Sequence, residues 1–100
     1  MFAEADDGTI GQKFDSGKLR HSLLPSGVIT EVLKVLEFGA RKYKENNWQH
    51  VTNGRDRYYD AALRHITAWR EGELEDSETG VNHLAHAICC LMFLLWFDLR

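Results

Sequence analysis

Three histidines and a run of carboxylates crowd the second half of the chain: Arg64-His65, then Gly72-Glu73-Leu74-Glu75-Asp76-Ser77-Glu78, then His83 and His86. Imidazoles and carboxylates on either side of one short turn can hold a divalent cation, move protons, or donate hydrogen bonds to phosphate oxygens. Gathering so many titratable groups costs desolvation and mutual repulsion, so stability alone is a poor reason for it. Glu73 and Asp76 stand in E-x-x-D spacing, with Glu78 two residues further on. Such oxygen ligands suit a hard ion like magnesium, which keeps several waters and partners phosphorylated ligands. Acidic residues are also common wherever a helix begins, because negative charge is favoured there. His83 and His86 tilt the balance towards chemistry. Spaced by three, they share one side of a helix, and His65 lies on the preceding helix, which the short connection keeps close. A lone histidine on an apolar face is usually a hydrogen-bonded core residue; three converging with carboxylates are candidate catalytic groups.

Cations come from elsewhere in the chain. Lys18 and Arg20 sit in Asp15-Ser16-Gly17-Lys18-Leu19-Arg20, a glycine-containing turn without Walker spacing. Arg64 precedes His65, while Arg41 and Lys44 read as solvated charges. Glu31, Val35, Phe38 and Lys42 fall along one stripe of a helix. Glu31 is therefore a candidate inward-pointing metal ligand, and Lys42 a candidate phosphate contact. Trp48 could stack on a base or plug the core.

Helices must position these groups. Apolar residues at Val28, Val32, Val35, Leu36 and Tyr43 recur with the helical period and predict a first helix from Gly27 to about Lys44, capped by Ser26. Thr52-Asn53-Gly54 marks a loop. A second helix is expected from Asp56 to about Glu71, ended by Gly72, with Tyr59, Ala62, Leu63, Ile66 and Trp69 as its buried stripe. A third is expected from near Glu78 to about Asp98. Its second half is apolar on every face and needs neighbours on every face. Ala87 to Phe97 is only about half the ~20 residues a membrane span requires, so protein rather than lipid should bury it. The expected fold is all-α: a small bundle of three main helices completed by homo-oligomerisation, over residues 15–100, with residues 1–14 as an extended N-terminal arm.

With 44% hydrophobic residues in 100, the composition is that of one globular domain. A formal charge of −3 argues against a DNA or RNA duplex as partner. Met1 to Phe14 carries Glu4, Asp6 and Asp7 and no apolar core of a signal peptide. Adjacent Cys89 and Cys90 are poorly placed to bridge each other and read as buried thiols of a reducing cytoplasm.

The ordered set Glu31, Phe38-Gly39-Ala40-Arg41-Lys42-Tyr43, Asn47-Trp48, Ala61-Ala62-Leu63-Arg64-His65, Gly72-Glu73, Asp76-x-Glu78-x-Gly80 and His83-Leu84-Ala85-His86 resembles one family. It is the phage-associated dATP/dGTP diphosphohydrolase N-terminal domain, near MazZ-type proteins and the wider MazG-like nucleotide pyrophosphohydrolases. Asp15-x-Gly17-Lys18-x-Arg20 followed by Leu24-Pro25 fits as well, so the likeness runs from about Asp15 to Phe97. It implies a helical, oligomeric enzyme that cleaves the α–β bond of a purine deoxynucleoside triphosphate, with Mg2+ or Mn2+ bound by helix carboxylates, in the host cytoplasm if phage-encoded. One departure stands out: MazG-like enzymes carry an E-x-x-E pair on one helix, and here Glu31 is followed by Lys34.

Together these readings give a leading expectation of metal-dependent hydrolysis to monophosphate and pyrophosphate. Glu31, Glu73, Asp76 and Glu78 would hold the metal, Lys18, Arg20, Lys42, Trp48 and Arg64 would bind substrate, and His65, His83 and His86 would serve catalysis. The rival is a non-catalytic phage protein that sequesters a cyclic nucleotide signal of host immunity. A helical scaffold whose polar groups serve packing is the plainest alternative.

Overall fold

Among the described residues there are three α-helices, with α1 at Val28–Lys42, α2 at Gly54–Arg70 and α3 at His83–Asp98. The computed structural model describes residues 10–100. Short 3-10 turns at His21–Leu23 and Asn47–His50 precede α1 and α2. Among the described residues there is no strand, only an isolated antiparallel bridge between Glu75 and Asn82. The first part of the expected N-terminal arm, residues 1–9, lies outside the described residues. Residues 10–14 have no regular structure, and Ile10 and Phe14 are exposed.

The helix ends differ from the sequence expectation for local reasons. Gly27, not Ser26, occupies the cap position of α1, in left-handed backbone at φ 83°. The first helix stops at Lys42, two residues early. The second starts at Gly54, two residues early, because Asn53 at φ 56° turns the chain directly into it. Gly54 is buried against Phe97 near the end of α3; a Cβ there would lie 3.3 Å from the Phe97 ring.

The largest correction concerns the start of α3, which begins at His83 and not near Glu78; the expected acidic turn runs on to Asn82 as a closed loop. Asp76 Oδ1 accepts hydrogen bonds from the Glu78 and Thr79 amides, and Gly80 turns back at φ 70°, where a side chain would be strained. Asp76 N–H then donates to Val81 C=O and His83 N–H to Leu74 C=O, at 2.9 and 2.8 Å. This zips the loop shut up to Asn82, whose side chain caps α3 by accepting from Leu84 N–H.

The third helix is the centre of the fold and packs on α2 extensively and on α1 less so. Val32, Ala62, Ala85, Ala87, Cys89 and Cys90 form the buried core. Both cysteines are free, and the Cys89 thiol points at the Val32 carbonyl, 3.6 Å away. Of the stripe expected on α2, Ala62 is buried and Ile66 half-buried, but Tyr59, Leu63 and Trp69 are exposed, and Tyr58 and His65 turn inward in their place. Small and polar residues occupy the inner face because they line a cleft instead of filling a hydrocarbon core. On α1, Val28 and Tyr43 of the expected stripe are likewise exposed, and Val32 carries the burial. In the second half of α3, Leu91, Met92 and Leu95 remain exposed. No helix among the described residues is long and apolar enough to cross a membrane.

Candidate functional site

Both α1 and α2 pack on α3, and between them lies a cleft of about 920 Å³. One wall is α1 from Val35 to Lys42, the other is α2 at Tyr58, Ala61, Arg64 and His65. Its floor is α3 at His86, Cys89, Cys90 and Phe93, and the segment around Trp48 closes one end. Trp48 stacks on Phe93 with ring centres 4.3 Å apart and meets Trp96 edge-on at 4.9 Å. It is thus packed against the aromatic end of α3 while still lining the cleft.

The other end of the cleft is polar. Lys42 Nζ lies 2.8 Å from the Glu78 carboxylate, joining the last turn of α1 to the acidic loop. The hydrogen bond from Lys42 to Glu78 raises the Lys42 pKa above that of a free lysine.

Behind this mouth the three histidines converge, as their spacing predicts. His65 Nδ1 and His83 Nδ1 are 2.8 Å apart, so one ring N–H donates to the other ring's lone pair. The His65 and His86 rings stack at 4.5 Å, nearly parallel. Burial, with His86 and His83 alongside, lowers the His65 pKa to about 4, so its ring is neutral at physiological pH. Burial also lowers the His86 pKa, although Asp76 opposes it. At Asp76, burial pushes the carboxyl up, but hydrogen bonds from Thr79 and Glu78 and the proximity of His86 outweigh this and hold it low.

Thr79 is the residue that sequence reasoning missed. Its hydroxyl oxygen lies 2.7 Å from His86 Nε2, 3.2 Å from Asp76 Oδ1 and 3.2 Å from Val81 N. One assignment satisfies all three contacts: Val81 N–H and His86 Nε2–H donate to the oxygen, and the hydroxyl donates to Asp76. Thr79 thereby fixes the Asp76 carboxylate and the His86 tautomer together. The spacing of Asp76 and Thr79, three residues apart as in a capping turn, was the available signal.

The remaining sequence candidates are dispersed. Glu31 is ion-paired to Lys34 at 2.7 Å, one turn along α1, and does not line the cleft. Glu73 approaches His83 Nε2 at 3.5 Å. Lys18 and Arg20 are exposed in the segment before α1, outside the cleft lining. Arg64 lines the cleft beside His65. The four expected metal carboxylates therefore do not gather around one point. Among the described residues, the group of three whose ligand atoms do lie close, within 4.8 Å of one another, is His65, Asp76 and His83.

An all-α domain with a cleft that is aromatic at one end and charged at the other defines the class of fold. Residues 9–100 match the family described as dATP/dGTP diphosphohydrolase, N-terminal, and the chain belongs to that family. Over 86 residues, covering 86% of the chain, it is 41% identical to a protein of Salmonella phage PMBT28 named dATP/dGTP diphosphohydrolase. The chain spans 29% of that relative's length. No solved structure matches it.

Proposed function

We propose that this domain hydrolyses a purine deoxynucleoside triphosphate, dATP or dGTP, to the monophosphate and pyrophosphate. The observation that carries this reading is the polarity of the cleft: an aromatic end at Trp48 and Phe93 suited to a base, and Lys42, Arg64, His65 and His86 suited to phosphates. The family and the name of the phage relative agree with it.

Metal dependence belongs to the same proposal. Asp76 and Glu78, two residues apart on the loop at the cleft's charged end, fit Mg2+ or Mn2+ brought in on the triphosphate: Asp76 Oδ1 is held by three donors and Oδ2 remains as a ligand. Such an ion would offset phosphate charge and acidify a water. Lys42 and Arg64 stabilise negative charge building on the phosphates. His86, half-buried with its Nε2 anchored to Thr79, holds a proton position next to the reacting phosphate. Leu91 and Leu95, apolar and exposed on α3 outside the cleft lining, are the face through which copies of the chain would associate.

The test is incubation of the purified chain with dATP and dGTP, with and without Mg2+, following monophosphate and pyrophosphate. Asp76→Asn, which keeps an acceptor for Thr79, should abolish pyrophosphate release while leaving the helical circular dichroism intact; unchanged release would refute the site. The second reading, capture of a cyclic nucleotide without cleavage, draws on Glu31 and Glu78 being engaged by Lys34 and Lys42. Recovery of intact cyclic dinucleotide from the protein, with no triphosphate turnover, would favour it.

A further inference from the structure

We propose that His65, His83 and Asp76 form a binding site for a divalent first-row transition ion, with Glu73 orienting His83. The site shares Asp76 with the metal proposed for the triphosphate but is built on the two imidazoles, and the inference stands whether or not the cleft takes a nucleotide.

The argument begins with the least explained atom in the fold. His83 is 6% exposed, and its Nε2 is buried with no hydrogen-bond partner. The atom facing it is a Glu73 carboxylate oxygen at 3.5 Å, too far for a good bond. On the opposite side of the ring, Nδ1 faces His65 Nδ1 at 2.8 Å. A proton on Nε2, aimed at Glu73, leaves Nδ1 as a lone pair. Moving the His65 proton to its own Nε2 turns the second lone pair to the same point. Metal-bound histidines characteristically donate their other ring N–H to a carboxylate, which sets the tautomer and strengthens the ligand. A cation on Nδ1 would polarise the Nε2–H and draw Glu73 in, giving the orphaned atom its partner.

Distances and donor chemistry agree. Nitrogens 2.8 Å apart, each about 2.1 Å from one ion, subtend about 84° at it, close to the right angle of octahedral coordination. The Asp76 ligand atom is within 4.8 Å of both histidine ligand atoms. Its carboxylate is already fixed by Thr79 and the Glu78 amide, and the stacked His86 ring fixes the plane of His65. Two imidazoles and one carboxylate select manganese, iron, cobalt, nickel or zinc, whereas magnesium prefers oxygen alone.

The experiment is titration of the EDTA-stripped full chain with Co2+, read by visible ligand-field absorption, and with Zn2+ by calorimetry. The expected result is one equivalent per chain, undisturbed by excess Mg2+. His83→Gln and His65→Gln should each abolish stoichiometric binding, and Glu73→Gln should weaken it by about 10- to 100-fold. His50→Gln, at an exposed histidine of the 3-10 turn before α2, should leave it unchanged. Absence of a stoichiometric site in the wild-type chain would overturn the proposal, as would binding that Mg2+ displaces or that survives in His65→Gln. If His83→Gln fails to fold, the half-buried His65→Gln and the exposed Glu73→Gln decide the question.

Discussion

Lys42 and Glu78, 36 residues apart in sequence, meet at 2.8 Å and tie the end of α1 to the loop before α3. Both side chains are substantially exposed, so solvent screens the pair and its share of stability is small. Lys42→Ala should leave the melting temperature essentially unchanged. If the ammonium contacts phosphate, the same variant should raise KM for dGTP by about tenfold, the cost of one hydrogen bond to a charged group. A lower melting temperature with unaltered KM would mark Lys42 as structural.

The buried cysteines give a pH signature. Burial raises the Cys89 pKa to about 12 and the Cys90 pKa to about 11. An unfolded thiol ionises near about 8.5. The folded chain therefore binds more protons than the unfolded one between these values, so stability falls as pH rises through that window and is unaffected by these groups below it. Urea midpoints measured from pH 8 to pH 11 should decline, and less steeply in Cys89→Ser/Cys90→Ala. At pH 8.5, a thiol reagent should label neither cysteine in the folded chain and both in urea.

Leu91 and Leu95 lie one turn apart on α3 and are 52% and 58% exposed, an apolar ridge on the most hydrophobic helix. If copies of the chain associate through this ridge, as proposed, replacing both with Lys should leave the fold intact and reduce the sedimentation coefficient to that of a monomer. An unchanged coefficient would count against association through this ridge.

At Gly54, an added Cβ would sit 3.3 Å from Phe97. Gly54→Val should destabilise the chain by about 1–3 kcal/mol through overpacking, measured as a lower urea midpoint. Phe97→Leu should recover part of the loss, because it removes the ring that the new side chain strikes.

The three helices and the meeting of His65, His83 and His86 were legible in the sequence because helical period and a short connection are local properties. The start of α3 was placed too early, near Glu78, for an instructive reason. Asp76 accepts from amides two and three residues ahead, which is how a helix cap behaves, so the signature of a helix start serves a closed turn. The face of α2 was read only in part, at Ala62 and Ile66, because periodicity identifies an apolar stripe but not how far round the helix the core reaches. Here His65 and Tyr58 turn inward while Tyr59 and Leu63 face out. Glu31 had the right residue type on the right helix, but Lys34, one turn away, engages its carboxylate. The cleft is lined by α1, α2 and α3 together, a non-local arrangement with no trace in any one segment.

The close seating of Gly54 on Phe97 has a mechanical outcome. It seats the start of α2 on the end of α3, while the zipped loop joins their opposite ends, so this helix pair is fastened at both extremities. The groove's remaining wall, α1, is tied to that pair at its C-terminal end by Lys42 and Glu78.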